Sequence, residues 1–229
     1  RHDAPPPRCY PDGAQASDFY QVGAGSARVF AAGYIGDPNF VPTGTNNTIT
    51  GLSIGGWESS ASGTMVQGNR IGTDATGGAA VPNTEQGVLI TDGSSNSMIG
   101  GTGEGAGNVI AHNLRNGVLV TGGSGNGILG NAIADNGLLG IDLNGDGVTP
   151  NVPPGTGSGA NHSQNFPVLS FAAFDLQGIA GTLHAPASST YRVEFFRNTI
   201  ADGSGYGEGS TLIGNATVTT DTGGAASFF

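Results

Sequence analysis

The clearest chemical pattern in the chain is the alternation of Asp142, Asn144 and Asp146, with Gly147 directly after it. Hard side-chain oxygens at alternate positions, followed by a glycine that allows a sharp turn, are typical of calcium-binding loops. A complete loop would end in a bidentate glutamate at its twelfth position, and that position is Pro153 here. Two interpretations therefore stand: a calcium site with these three ligands, or a polar turn that closes a structural repeat.

A second possible chemistry is the cleavage of polysaccharides. Glycosidases need two carboxylates roughly 5–10 Å apart, and Asp74 and Asp92 both follow a threonine at the end of a predicted strand. A polysaccharide lyase needs a base, and Arg70, His112 and Arg115 are the basic side chains of this region, since the chain contains no lysine. Turn caps and surface charges explain the same residues. We therefore predict no catalytic residues and keep a lyase or glycosidase as the alternative.

Composition excludes several other functions. Charged residues make up 10% of the 229 residues, and the net charge is −10. Nucleic-acid binding requires a basic surface, so we predict no nucleic-acid partner. A membrane-spanning helix requires about 18 or more consecutive apolar residues, and the chain contains no such run. The single cysteine, Cys9, cannot form a disulfide within the chain.

Short strands separated by Gly or Asn must position the residues described above. Three six-residue segments of residues 46–148 end in asparagine and align without gaps: Thr64–Asn69, Asn108–Asn113 and Asn126–Asn131. Glycine and asparagine accept the positive φ of a tight corner, whereas frequent glycines argue against a helix, at about 1 kcal/mol each. Coils of roughly 20–30 residues with short strands predict a parallel β-helix. We expect Asn69, Asn113 and Asn131 to stack as one internal ladder, in which each amide satisfies the next.

A second repeat supports the same architecture. Three segments begin with an amide residue and glycine: Gln86–Leu89, Asn116–Leu119 and Asn136–Leu139. The first two are 30 residues apart, and residues 87–101 align with residues 117–131 at the same offset. We therefore expect these segments to occupy equivalent positions on successive coils.

The segments that flank the repeats have a different character. Residues 1–45 are rich in Pro, Gly and Ala, which predicts an irregular N-terminal arm or cap, and residues 149–165 read as a linker. Residues 166–229 contain five predicted strands: Pro167–Phe174, Gly178–His184, Tyr191–Arg197, Ser210–Thr220 and Ala225–Phe229. This pattern predicts a small, antiparallel, β-sandwich-like domain. Because its last strand reaches Phe229, we expect it to be incomplete, with an open edge that invites pairing.

Several motifs resemble those of a known class of proteins. In the repeats they are Asn69–Gly77, Gly105–Ile110 and Gly140–Pro150, and after the repeats they are Asn165–Leu169, Val193–Phe196, Ser204–Gly209 and Thr217–Asp221. These segments resemble the Gly/Asn-rich right-handed β-helix proteins that bacteria secrete or display on their surface, together with the module that commonly follows the repeats. The resemblance covers about residues 46–229. It implies an extracellular or cell-surface location and an all-β fold.

The function that we predict from these observations is structural. A Gly/Asn-rich repeat, few charges and an open sandwich edge favour a non-enzymatic extracellular module for adhesion or self-assembly. We expect a homo-oligomer or polymer, formed through sheet edges and β-helix ends. Binding of a polysaccharide is the alternative partner, and calcium is the one cofactor that the sequence suggests, through Asp142, Asn144 and Asp146.

Overall fold

The computed structural model describes residues 28–35, 48–54, 57–59, 62–74, 76–91, 93–173, 178–200 and 202–229. Within these residues the protein is all-β. The first twelve strands are β1 (Arg28–Ile35), β2 (Thr48–Ile54), β3 (Trp57–Ser59), β4 (Met65–Gln67), β5 (Arg70–Ile71), β6 (Val88–Ile90), β7 (Met98–Gly100), β8 (Val109–Ala111), β9 (Val118–Val120), β10 (Gly127–Leu129), β11 (Ala132–Ala134) and β12 (Ile141–Leu143). The last five are β13 (Val168–Ala173), β14 (Gly178–His184), β15 (Thr190–Arg197), β16 (Thr211–Thr219) and β17 (Ala225–Phe228).

The early strands stack in parallel, as expected of a β-helix. One stack contains the start of β2, then β4, β7 and β10, and a second contains the end of β2, then β5, β8 and β11. A third stack runs through β3, β6, β9 and β12. β1 also pairs in parallel with β2, so the parallel stacking begins within the segment predicted as an N-terminal arm. The rest of that arm, including Cys9, lies outside the described residues.

The core of the β-helix consists of columns of aliphatic side chains. Val66 lies over Ile99, and Ile71 lies over Ile110, at paired positions of adjacent coils. These four side chains are completely buried. The β-branched side chains of Val and Ile fit a pleated surface well. Each added coil removes one more layer of these side chains from water. The short strands of the sequence are therefore stable only as a stack.

The 30-residue repeat is confirmed by the third stack, where Val88 pairs with Val118. The third copy of this motif was placed wrongly at Asn136–Leu139. Val118 pairs on its other side with Ile141, so β12 is the true equivalent. The local pattern of an amide, a glycine and two apolar residues occurs both at a strand and at a corner, and only the pairing distinguishes the two.

Corners are tight, and some of them require glycine. Gly72 has a φ of +83°, and a Cβ atom placed on it would lie 1.9 Å from the carbonyl oxygen of Ala111 on the next coil. Gly100 repeats this arrangement against the carbonyl oxygen of Leu129. At both positions the backbone of one coil approaches the next too closely for any side chain.

The last five strands form the predicted sandwich-like unit. β14 pairs antiparallel with both β13 and β17, and β15 pairs antiparallel with β16. Leu183, Val193 and Phe228 are buried together between the two sheets, and the ring centroids of Phe195 and Phe228 are 5.3 Å apart. All five predicted strands are confirmed, and so is the alternation that places Tyr191, Val193 and Phe195 on one face of β15.

Residues 149–165, predicted as a linker, make specific hydrogen bonds to both units. The amide Nδ2 of Asn161 donates to the carbonyl oxygen of Asn126 on the β-helix at 2.7 Å. The amide Nδ2 of Asn165 donates to the carbonyl oxygen of His184 on β14, also at 2.7 Å. Asn161 is part of a short turn, Ala160–Ser163, which has positive φ at Asn161, His162 and Ser163. The segment is therefore anchored to both of its neighbours.

Candidate functional site

Buried asparagines form ladders at two corners of the β-helix. The first ladder consists of Asn69, Asn108 and Asn131: Nδ2 of Asn69 donates to Oδ1 of Asn108 at 3.0 Å, and Nδ2 of Asn108 donates to Oδ1 of Asn131 at 2.8 Å. Each Oδ1 also accepts the backbone N–H of the residue one coil earlier, at 2.9 Å for Asn69 and 3.0 Å for Asn108. The three residues are almost completely buried. An internal ladder is therefore present, as predicted from Asn69 and Asn131.

The predicted membership of this ladder was wrong in one residue. Asn113 belongs instead to a second ladder, in which Nδ2 of Asn83 donates to Oδ1 of Asn113 at 2.6 Å. Nδ2 of Asn113 in turn donates to Oδ1 of Asn136 at 2.8 Å. The hexads that suggested the ladder lie on different stacks, since one contains β8 and the other two contain β4 and β10. An asparagine follows the strand in each case, so sequence alignment could not tell one corner from another.

The second ladder continues into the C-terminal unit through a carboxylate. The backbone N–H of Asn113 donates to Oδ1 of Asn136, and the backbone N–H of Asn136 donates to Oε2 of Glu208 at 3.1 Å. Oε2 of Glu208 thus occupies the place that the next asparagine oxygen would take. Burial raises the pKa of Glu208, and the nearby negative charges of Asp202 and Asp135 raise it further. Its other oxygen, Oε1, is buried and has no hydrogen-bond partner among the described residues.

A second carboxylate accepts a backbone N–H group at the first corner. Oε2 of Glu194 accepts the backbone N–H of Gly130 at 2.8 Å, directly before the last member of the first ladder. Its Oε1 accepts from Nε of Arg192 at 2.8 Å, and Nη1 of Arg192 donates to Oδ1 of Asn215 at 2.8 Å. Val193 points into the sandwich core, so Arg192 and Glu194 lie on the opposite face of β15, toward the β-helix. Arg192 orients the carboxylate for its acceptor role.

Two more contacts complete this end of the β-helix. The backbone N–H of Ile133 in β11 donates to the carbonyl oxygen of Gly209 at 3.0 Å. At the third corner Oδ1 of Asn126 accepts the backbone N–H of Ser97, and Oδ1 of Asn161 accepts the backbone N–H of Asn126, both at 3.0 Å. Together with the two carboxylates, these groups accept hydrogen bonds from four backbone N–H groups of the last coil, those of Asn126, Gly130, Ile133 and Asn136. We call Asn161, Glu194, Glu208 and Gly209 the end-cap residues.

A cavity of about 530 Å³ lies inside this ring of contacts. Ile128 and Leu143, at the end of the β-helix core, form one wall, and Leu183 and Val193 of the sandwich form another. Tyr191 and Tyr206 also line it. The two hydrophobic cores therefore remain separate clusters, and the junction is held mainly by polar contacts at its rim.

The most exposed apolar strand of the sandwich is β13. It is an edge strand that pairs only with β14 among the described strands. Val168, Leu169 and Phe171 are 51%, 55% and 42% exposed, and β13 contains no charged residue. Edge strands usually carry charges, prolines or bulges that prevent pairing with other chains. β13 has an irregular register between Leu169 and Phe171 but no charge, so its apolar side chains can form a contact.

The three predicted calcium ligands have different surroundings in the structure. Asp142 is 4% exposed, and its Oδ2 accepts from Nδ2 of Asn116 at 3.2 Å. Burial raises the pKa of Asp142, although backbone amides of Gly147 and Gly145 counteract this effect. Oδ1 of Asn144 is occupied by the backbone N–H of Ala160 at 2.8 Å.

Asp146 is exposed on the same turn, and its charge also raises the pKa of Asp142. In the part of the chain that the structure describes, no three His, Cys, Asp or Glu side chains are grouped closely enough to hold a metal ion. Calcium binding at Asp142, Asn144 and Asp146 stays a prediction.

The residues considered for carbohydrate cleavage have local roles where they are described. The carboxylate of Asp74 accepts from the hydroxyl of Thr76 at 2.8 Å, and this bond, together with the amide of Ala79, lowers the pKa of Asp74. Asp92 lies outside the described residues. Arg115 forms an exposed ion pair of 2.9 Å with Glu85. Asp74 is therefore a turn cap and Arg115 a surface charge.

Sequence reasoning missed Glu194 and Glu208, which are the most specific side chains of the junction. They lie 64 and 72 residues away from the amides that they accept from. The motifs Val193–Phe196 and Ser204–Gly209, quoted for the family resemblance, do contain them. That resemblance was the only signal available in the sequence.

The comparisons with known proteins give no family for the chain. No protein-family model matches it, and no curated protein matches it. No helix in the described ranges is long and apolar enough to cross a membrane.

Proposed function

We propose that this protein is a non-enzymatic, extracellular structural module that self-associates or adheres through the edge strand β13. The observation that carries the proposal is the exposure of Val168, Leu169 and Phe171 on a strand that pairs on one side only among the described strands. Burying such side chains contributes about 25 cal/mol for each Å² of apolar surface removed from water. The unpaired backbone groups of the strand add hydrogen bonds when another strand joins it.

The extracellular and bacterial cell-surface setting is part of the same proposal. It is supported by the resemblance to secreted Gly/Asn-rich β-helix proteins and by the parallel stacks of residues 48–143. A rigid β-helix with few charged side chains suits a spacer or adhesive stalk, because each coil contacts only its neighbours and adds length.

The test is a measurement of self-association over a concentration series by sedimentation velocity, with negative-stain electron microscopy of the same samples. We expect concentration-dependent oligomers or filaments of the wild type, and at least a tenfold weaker association of the Leu169→Lys, Phe171→Lys double variant. Leu114→Lys with Leu138→Lys is the matched control, since both residues are exposed leucines on the β-helix. A wild type that stays monomeric at all concentrations and binds no surface would contradict the proposal.

Calcium is proposed as a ligand of the turn that contains Asp142 and Asp146. The buried Oδ1 of Asp142 has no hydrogen-bond partner among the described residues, and a cation between the two carboxylates would relieve their repulsion. We expect millimolar calcium, but not magnesium, to raise the melting temperature of the wild type and not that of Asp146→Asn. An unchanged wild-type melting temperature would exclude this site.

Polysaccharide binding is the second candidate function, and the observation that favours it is the junction cavity. Tyr191, Tyr206 and Phe166 line this cavity, and aromatic rings offer apolar faces beside polar groups. Titration with neutral and uronate-containing oligosaccharides, followed by tyrosine fluorescence, tests this candidate. We expect Tyr206→Ala to abolish any response, with Phe229→Ala, an exposed aromatic residue that does not line the cavity, as the control.

A further inference from the structure

We infer that the junction between the β-helix and the sandwich-like unit is a proton-sensitive hinge, which closes as the pH falls and loosens as the pH rises. The carboxylate of Glu208 is the group that takes up the proton. The junction is closed when the end-cap residues are hydrogen-bonded to the last coil, as they are in the structure. This hinge involves neither β13 nor a bound ligand, and so it goes beyond the proposed function.

The two units meet through polar contacts that surround a cavity. Their hydrophobic cores are separate clusters. The cavity of about 530 Å³ lies between Ile128 and Leu143 at the end of the β-helix core and Leu183 and Val193 of the sandwich. Domains joined without a large apolar interface move relative to each other by default. The strength of this junction therefore depends on the hydrogen bonds of the end-cap residues.

Glu208 is held against the β-helix by its backbone as well as by its side chain. Its Oε2 accepts the backbone N–H of Asn136 at 3.1 Å, and its Oε1 is buried without a hydrogen-bond partner among the described residues. A Cβ atom placed on Gly140 would lie 2.9 Å from the Cα atom of Glu208, so only a glycine allows this approach. A charge on the carboxylate is therefore partly desolvated while the junction is closed, and it gains water when the junction opens.

The charges nearest to Glu208 oppose its ionisation. A second cavity, of about 170 Å³, is lined by Asp135, Asp202 and Glu208 and by no basic residue among those described. Neither of the two ion pairs found within the described residues includes any of these three acids. Hydrogen bonds from Ser204 lower the pKa of Asp202, so Asp202 stays ionised near neutral pH. Burial, together with the charges of Asp202 and Asp135, raises the pKa of Glu208.

The remaining charged and titratable groups on the sandwich side do not compensate for this repulsion. Glu194 on β15 is neutralised by Arg192 at 2.8 Å. Arg197, at the end of β15, is exposed and lines neither cavity. Tyr191 and Tyr206 line the larger cavity, and phenols are uncharged at neutral pH.

On the β-helix side, one further group can change its charge near neutral pH. His112 lies on the preceding coil, where its backbone N–H donates to the carbonyl oxygen of Ala134, the residue before Asp135. Histidine side chains can gain a proton between about pH 8 and 5. A positive charge there would offset Asp135 and act in the same direction as a proton on Glu208, so the test must separate the two.

The direction of the pH effect follows from the solvation of Glu208. A carboxyl group whose pKa is higher in the closed junction than in the open one binds its proton more tightly when the junction is closed. The closed junction therefore gains stability as the pH falls toward the ordinary pKa of glutamate, about 4.3. A pKa difference of one unit changes the balance between the closed and open junction about tenfold.

The test is hydrogen exchange at about pH 4.5 and about pH 8, with each rate corrected for the intrinsic exchange rate at that pH. The Leu169→Lys, Phe171→Lys background prevents association through β13. Three of the amides that donate to the end-cap residues are followed: Gly130, Ile133 and Asn136. We expect their protection to fall together, about tenfold for each unit of pKa difference, as the pH rises. Protection of Asn108, inside the β-helix, should stay constant.

Four variants isolate the hinge and its sensor. Glu208→Gln keeps an acceptor oxygen but has no proton to lose, so the three amides should stay protected at both pH values. His112→Gln and Glu104→Gln, the latter on an exposed carboxylate of the β-helix, should keep the pH dependence of the background protein. Gly140→Ala places a Cβ atom against the backbone of Glu208, and it should lower the protection of the three amides at both pH values.

Three outcomes overturn the inference. Protection that does not depend on pH, or that still depends on pH in Glu208→Gln, would exclude Glu208 as the sensor. A change at Asn136 without one at Gly130 and Ile133 would mean that a single hydrogen bond responds and that the units do not separate. If Glu208→Gln also loses protection at Asn108, Asp202→Asn replaces it and should reduce the pH dependence. Failure of the β13 proposal would appear separately, as a lack of self-association in the protein without the two lysines.

Discussion

Individual side chains in this protein act mainly by satisfying backbone groups that the coil geometry leaves unpaired. Asn108 shows this most clearly, since it accepts from the backbone N–H of Asn69 and donates to the carbonyl oxygen of Val66 at 2.8 Å. It also bonds to both of its ladder neighbours. Asn108 therefore links groups on three successive coils, and each buried polar group left without a partner would cost about 1–3 kcal/mol.

The ladder makes a direct prediction about stability. Asn108→Ala leaves donors or acceptors on Asn69, Val66 and Asn131 without their partner, and we expect it to lower the free energy of unfolding by about 3 kcal/mol. The measurement is urea unfolding followed by circular dichroism. Asn151→Ala is the control, because its two hydrogen bonds to Phe166 are exposed to water, and we expect about 1 kcal/mol or less. Equal decreases in the free energy of unfolding for Asn108→Ala and Asn151→Ala would show that the ladder adds no stability.

Glycine corners set the spacing between coils at the level of the structural elements. Gly72 and Gly205 both have a φ of +83°, but only Gly72 has a backbone oxygen where a Cβ atom would be. The surroundings of Gly205 are open, with nothing within 4 Å of that position. The pair therefore separates two costs of an added side chain: backbone strain and collision with the next coil.

We expect Gly205→Ala to lower the free energy of unfolding by about 1 kcal/mol, from the left-handed backbone conformation alone. Gly72→Ala should cost at least about 3 kcal/mol, because the coil above would have to move as well. Thermal unfolding of the two variants beside the wild type gives the comparison. Similar losses for both would mean that neighbouring coils can separate at this corner without cost.

The acidic groups divide into two classes when the whole molecule is considered. Burial raises the pKa of Glu208 and Asp142, whereas hydrogen bonds lower the pKa of the exposed Asp74, Asp202 and Asp221. A carboxyl group with a raised folded pKa binds its proton more tightly in the folded state. Its contribution to stability therefore increases as the pH falls through that pKa, and the increase is complete below the unfolded value, about 4.3 for Glu and 3.9 for Asp. Carboxyl groups with a lowered folded pKa lose their contribution to stability as the pH falls below about 4.

We therefore expect the melting temperature to rise as the pH falls from 7 toward the unfolded pKa values of about 4, and to fall again at lower pH. Glu208→Gln should flatten the rise, because an amide has no proton to gain. Glu104→Gln, on an exposed carboxylate of the β-helix, should leave the curve unchanged apart from a constant offset. Melting curves from pH 3.5 to 7.5, recorded by differential scanning calorimetry, test this. Parallel curves for the wild type and Glu208→Gln would contradict the role of Glu208.

Local pattern was enough to predict the strands, the parallel stacking and the five sandwich strands. β-branched side chains between Gly and Asn residues specify short strands and tight corners. The alternation of apolar residues predicts the inward face of β15. Both predictions use only residues that are close together in the sequence. The same pattern suggested a ladder through Asn69 and Asn131. These features are repeated or periodic, so the sequence shows each of them at several positions.

Only the tertiary structure decided which residues meet. Asn69 bonds to Asn108, 39 residues later, but Asn108 bonds to Asn131 after only 23, because the loops between strands differ in length. An asparagine follows the strand in each of the three hexads, so their alignment assigned Asn113 to the wrong ladder. The match between Glu208 and Asn136 spans 72 residues and two units. No sequence periodicity links a carboxylate of the sandwich-like unit to a corner of the β-helix. That contact follows only from how the two units pack.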